Sequence, residues 1–205
     1  MKNIVYIDGQ NFLYKAAETL IEAGIISDKQ ELIKIDIRYI LETLFKNQKL
    51  EIKYFGVNSI KRQEHFTPEI LEKSKTFADN LRRTRNYFKK TDIEYCGTGS
   101  LQVRSQDKCK KCGYIEYKMA EKGVDVGLAS ELIFDSFDPL VQAQIIVSSD
   151  VDMLPAIKVA KRQNKEIDYV CFYGKQIHAI SYYANKTRFI ETSLIIDAFT
   201  RALKS

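Results

Sequence analysis

Four aspartates stand at breaks in the apolar pattern of this chain. Asp8 follows Asn3-Ile4-Val5-Tyr6-Ile7, Asp125 lies in Lys122-Gly123-Val124-Asp125-Val126, and Asp150 and Asp152 follow Ile145-Ile146-Val147-Ser148-Ser149. Three β-branched residues in a row, Ile145 to Val147, read as a strand buried on both faces. An acid at the end of such a strand belongs at the carboxyl edge of a parallel sheet, where open α/β sheets bind ligands. If Asp8, Asp125 and Asp150 meet there, bare anions conflict: two carboxylates about 5 Å apart repel by roughly 3 kcal/mol at an effective dielectric near 20. A bound cation removes the conflict. Oxygen donors from Asp and from Asn11 select a hard ion that keeps several waters, Mg²⁺ or Mn²⁺. Such an ion activates water and orients a phosphodiester, so hydrolysis of a phosphate ester is the natural chemistry.

Each candidate also has a plainer reading. Asp152 is a plausible N-cap for a helix over Met153 to Gln163, whose Pro155 falls in the first turn; Asp150 precedes that cap and is left to face the crevice. Asn11 either caps the first helix or places its amide at a ligand. Asp125 gains from the helix dipole in a first turn, but its two flanking valines point it into a sheltered site. Glu131 is either a support behind the metal ligands or a solvated residue, and Ser148 is a second candidate for such support. Other chemistries lack residues. The two histidines, His65 and His178, are far apart, there is no glycine-rich phosphate loop, and Ser148 and Ser149 lack the glycines of a hydrolase elbow.

The elements that must position these residues alternate. Strands are expected over Asn3 to Ile7, Leu50 to Val57, Ile93 to Cys96, the apolar run through Val147, and Ile167 to Phe172, with helices between them and a closing helix over Ser193 to Leu203. This predicts an α/β fold around a mostly parallel sheet, in one domain spanning 1–205. A long helix opened by Thr67-Pro68 carries Arg82, Arg85 and Lys89 on one side with Lys75 and Arg83 nearby, either a solvated face or a contact surface for phosphates.

Residues 97–118 break the rhythm. Leu101 to Arg104 and Tyr114 to Lys118 read as two short strands of an inserted β-hairpin with Cys109 and Cys112 at its tip. That Cys-x-x-Cys is half of a zinc knuckle, to be completed by Cys96 or a second protomer; a metal-free thiol pair and a redox pair are the competing readings. The hairpin suits substrate binding or homodimerisation. Cys171 sits in an apolar run and reads as core. With 205 residues, 45% hydrophobic, the chain can bury one good core, and a net charge of +5 with pI near 8.9 permits nucleic acid without requiring it. Asp8 interrupts the apolar opening too early for a secretory signal and no stretch approaches a membrane span, so a cytoplasmic protein is expected.

Three motifs, Ile7-Asp8-Gly9-Gln10-Asn11-Phe12, Lys122-Gly123-Val124-Asp125-Val126 and Val147-Ser148-Ser149-Asp150-Val151-Asp152, in this order and spacing, resemble the NYN family of PIN-like nucleases, which includes the LabA-type bacterial proteins. The resemblance implies a PIN-like three-layer α/β/α sandwich. It also implies a Mg²⁺- or Mn²⁺-dependent ribonuclease with Asp8, Asp125, Asp150 and Asp152 as its metal site and Asn11 beside it. The sequence departs from the family pattern at Ser149, Met153 and Glu131, where Gly, Phe and Asp are usual. Three functions stay open: an RNA phosphodiesterase, a non-catalytic RNA-binding or assembly module, and a DNA nuclease or metal phosphatase on the same scaffold. RNA and DNA differ by contacts to a 2′-hydroxyl that no motif here encodes.

Overall fold

Alternation along the first strand decides the architecture. In β1 (Lys2–Asp8), Val5 and Ile7 pack into one apolar cluster and Ile4 and Tyr6 into another, and all four are buried. A strand apolar on both faces needs helices on both. The computed structural model describes residues 1–32, 34–61, 68–105, 111–113 and 117–204. After β1 come α1 (Gly9–Glu22), α2 (Ile37–Leu44), β2 (Leu50–Lys61), α3 (Pro68–Lys90), β3 (Glu94–Ser105) and β4 (Tyr117–Lys122). They are followed by α4 (Val124–Ser136), β5 (Val141–Val147), α5 (Leu154–Arg162), β6 (Glu166–Phe172), α6 (His178–Tyr183), β7 (Lys186–Ile190) and α7 (Thr192–Lys204).

The seven strands form one sheet in the order β4-β3-β2-β1-β5-β6-β7, parallel throughout except for the antiparallel β3–β4 pair. On one face, Phe12 and Leu20 of α1, Ile40 of α2, Phe88 of α3 and Ile195 and Phe199 of α7 pack on Val5, Ile52 and Val147. On the other, Leu128 and Leu132 of α4, Ile157 of α5 and Ile180 of α6 pack on Ile4, Phe55, Ile146 and Tyr169. Each such side chain removed from water contributes about 1.5–3 kcal/mol, so the two apolar layers are the main force holding the sheet between its helices. Cys171 is in the second layer, as its apolar surroundings predicted.

The chain leaves β1 toward β2, β3 and β4, then returns to pair β5 with the other edge of β1. That reversal is a topological switch point, and it opens a crevice at the carboxyl ends of β1 and β5. Register places Ile7 beside Val147, so Asp8 and Ser148 emerge as neighbours.

Two expectations about elements need correcting. Residues 94–105 are one continuous strand, not two short ones: β3 pairs parallel with β2 through Gln102 while its outer part, from Ser100 on, also pairs antiparallel with β4. The second strand of the expected hairpin continues past Lys118 to Lys122, so Glu121 belongs to it. The hairpin's tip, with Cys109, lies outside the described residues, and Cys112 is exposed in a turn. Among the described residues no helix is long and apolar enough to cross a membrane.

Strand β1 passes into α1 without a loop, and Gly9 at the junction is buried against β2: a methyl group there would strike the Tyr54 ring and approach the Phe55 carbonyl oxygen to 2.6 Å. Gly9→Ala is therefore expected to destabilise the fold by about 1–3 kcal/mol, more than alanine returns in helix propensity. Urea unfolding should show a lower midpoint with an unchanged slope. An unchanged midpoint would mean that Tyr54 moves aside freely.

Candidate active site

At the junction of β1 and α1, Asp8 is only 5% exposed, and both of its carboxylate oxygens are held. Oδ1 accepts from the Asn11 backbone N–H at 3.1 Å and Oδ2 from the Ser148 hydroxyl at 3.1 Å. Asp8 is thus the N-cap of α1, one of the two parts open to Asn11. The Asn11 side chain instead crosses to the β5 outlet, where its Oδ1 accepts from Ser149 Oγ at 2.8 Å and Ser149 N at 3.3 Å. Ser148 in turn accepts from the Asp150 N–H at 3.1 Å, so one hydroxyl ties the two acidic loops together.

The capping roles of Asp150 and Asp152 are also exchanged relative to expectation. A 3-10 turn over Val151–Met153 precedes α5, and Asp150 Oδ1 caps it by accepting from the Asp152 N–H at 2.8 Å. Asp152 is exposed. Asp125 occupies the first turn of α4, launched by Gly123 at φ 89°, a left-handed conformation that L side chains rarely adopt. The glycine of the Lys122-Gly123-Val124-Asp125 run is what lets β4 turn directly into α4.

Asp8, Glu121, Asp125 and Asp150 line one cleft of about 300 Å³, together with Asn11, Tyr14 and Lys122. Their electrostatics reflect the crowding. Burial raises Asp8 above the usual carboxylate range against its two hydrogen bonds, and Asp125 and Asp150 push it further. Asp125 is raised by partial burial and then by Asp150 and Asp152. Glu121 is pushed up to about 7, first by burial and then by Asp8 and Asp125. Sequence reading missed Glu121 because its strand is set by pairing with β3, a long-range contact, and Met119-Ala120-Glu121-Lys122 carries no alternation that would mark it as a strand. It missed Tyr14 and Lys122 as well.

Two other groups of candidates are elsewhere. Glu131 faces the sheet, where its carboxylate accepts from Lys53 Nζ at 2.6 Å. Lys53 also donates to Asp135 at 2.8 Å, and Asp135 accepts from the buried Tyr6 hydroxyl at 2.7 Å. Burial opposes the charge on Lys53, but the two carboxylates outweigh it and hold the ammonium up at about 12. This network anchors α4, and through it Asp125, to β1 and β2. Lys75, Arg82, Arg83, Arg85 and Lys89 of α3 are not among the residues that line the cleft. Lys75 borders a groove with the far end of β2, Arg83 borders another with Leu13 and Tyr87, Arg82 is 3.5 Å from Asp79, and Arg85 contacts Asn58 and lies over the Tyr95 ring. Lys89 is exposed. Cys96 is half-buried in β3, and burial pushes its thiol up to about 12.

Among the described residues, no three His, Cys, Asp or Glu side chains stand close enough as placed to hold an ion. The donor set still fits a divalent cation in kind: four carboxylates, an amide oxygen and no thiol or imidazole line the cleft.

The family model described as NYN domain matches residues 2–197. A crystal structure of a protein of unknown function from Vibrio parahaemolyticus is similar to this chain, with a TM-score of 0.52 and 17% identity over 92% of each chain. At that identity the likeness concerns the fold. No curated protein matches the chain.

The raised acids carry a pH signature. An acid with a higher pKa folded than unfolded binds more protons in the native state, so stability falls as pH rises between the two values. For Glu121 that window runs from about 4.3, the unfolded value, to about 7. Without divalent ions the protein should lose stability across this range, and Glu121→Gln should flatten the slope while raising the melting temperature at pH 8. An equally steep profile in the variant would remove Glu121 from the cluster.

Proposed function

Because the chain belongs to the NYN domain family, we propose that it is a divalent-metal-dependent nuclease hydrolysing RNA phosphodiester bonds at the acidic cleft. The observation that carries this reading is convergence. Asp8 from the end of β1, Glu121 from β4, Asp125 from α4 and Asp150 from the β5 outlet face one cleft at the switch point of the sheet. Burial, with neighbouring acids adding to it, raises Asp8, Glu121 and Asp125, and acids perturbed in this way are expected where function uses them.

In this reading Asp8, Asp125 and Asp150 hold Mg²⁺ or Mn²⁺, with Asp152 serving a second ion or a water. When bound, the ion supplies an activated water and charge neutralisation at the phosphate. The chain's own groups do the positioning. Ser148 and the Asn11 N–H fix the Asp8 carboxylate before any ligand arrives, and Ser148 orients the Asp150 loop in the same act. Lys122 brings a cation to the cleft, where it meets the phosphate anion. RNA is the substrate that the family resemblance implies, and discrimination from DNA rests on contacts to the 2′-hydroxyl.

Asp150→Asn and Asp125→Asn should each lower cleavage of RNA in Mn²⁺ by on the order of a hundredfold or more, and EDTA should abolish it in the parent. Asparagine keeps the oxygen with which Asp150 caps its turn, so the variant is expected to fold. As a readout independent of turnover, Mn²⁺ should raise the melting temperature of the parent and not of Asp150→Asn. A panel of single-stranded and structured RNA and DNA sets the substrate. Cleavage by Asp150→Asn at the parent's rate would end this assignment.

A further inference from the structure

Beside its acids the cleft presents an aromatic side chain. Tyr14 lies on α1 less than two turns beyond Asp8, is 48% exposed, and lines the same cleft as the acids. Two cations attend its ring: Lys29 Nζ is 3.3 Å from the centroid and Lys15 Nζ 5.4 Å. Lys15 is partly offset by Glu18 at 3.1 Å, so Lys29 is the stronger positive charge at the ring. Proteins that take up single strands combine these parts, an accessible π-face on which any base stacks and positive charge for the adjacent phosphates. A duplex offers no free base face, because its bases already stack on one another.

We propose that Tyr14 is a stacking platform for a nucleobase of a single-stranded polynucleotide, with Lys29 meeting the phosphate beside that base. The proposal rests on the nuclease reading of the acidic cleft, since it names the form of substrate that cleft receives. Its geometry is fixed by α1. The helix that begins at Asp8 also carries Tyr14, so a base stacked on the ring sets where along the strand the acids act. The plainer alternative is that Tyr14 only holds Lys29 against the helix; it predicts no preference for strands that carry bases.

The test is equilibrium binding in EDTA, read by fluorescence anisotropy. It uses the full chain with a short single strand and a strand of the same phosphodiester backbone in which every base is absent, in ribose and deoxyribose forms. The parent should favour the strand with bases by about tenfold. Tyr14→Ala should lose most of that preference and bind the baseless strand as the parent does, while Tyr14→Phe keeps it. A duplex of the same sequence should bind parent and Tyr14→Ala alike. If the preference survives in Tyr14→Ala, or if Tyr14→Ala weakens both strands equally, stacking is overturned. Loss of the preference in Tyr14→Phe as well would assign the effect to the hydroxyl and also overturn it. Failure of the nuclease reading looks different, with no cleavage in Mn²⁺ whatever the binding pattern.

Discussion

Like charges forced into a small cleft are the constraint under which this molecule is built. Asp8, Glu121, Asp125 and Asp150 line one cleft because the rest of the chain holds their elements in place against mutual repulsion. That work is done by two apolar layers on opposite faces of a sheet whose central strands are buried on both sides. The acids sit at the rim where those strands end, so the core remains apolar and the electrostatic cost stays partly solvated. Lys53, Asp135 and Tyr6 show the other solution to buried charge, direct pairing with hydrogen bonds, and it is used where rigidity rather than a binding site is needed.

The two arrangements depend on each other. Asp125 reaches the cleft from the first turn of α4, and α4 is held to the sheet farther along by Glu131 and Asp135 on Lys53, and by Gln144, which donates to the Leu132 carbonyl at 2.8 Å. Gln144 also donates to the Tyr6 hydroxyl, so β1, β2, β5 and α4 meet in one polar knot under the helix. Glu131 thereby affects the site through the seating of its helix, with no contact to the cleft.

How much of this could be read from the chain follows from the range of the contacts involved. Asp8 and Asp150 stood out because acids soon after apolar runs are hard to place anywhere but a strand end, and Asp125 because valines flank it at a helix start; these signals are local. The α/β alternation is local too. Glu121 was hidden because β4 exists by pairing with β3, and the segment between them separates the partners in sequence. The capping roles came out exchanged for a different reason. Asp and Asn cap helices about equally well, so the choice between Asp8 and Asn11 was decided by Ser148 and Ser149, well over a hundred residues away. Likewise Asp150, not Asp152, caps because a 3-10 turn is inserted ahead of α5. Of the basic side chains of α3, Lys75 and Arg83 border different grooves, a separation that depends on which neighbouring elements pack beside each and not on helical spacing.

The absence of any loop between β1 and α1 has a consequence for how such a protein changes over time. Asp8 and Tyr14 ride on one stiff unit, wedged at Gly9 against Tyr54 and the Phe55 carbonyl. Insertions cannot be absorbed there without displacing both, whereas the approach from β5 passes through a 3-10 turn that can lengthen. Diversification among descendants of this scaffold should therefore accumulate around the third acidic segment, leaving the opening strand and helix as the inherited ruler.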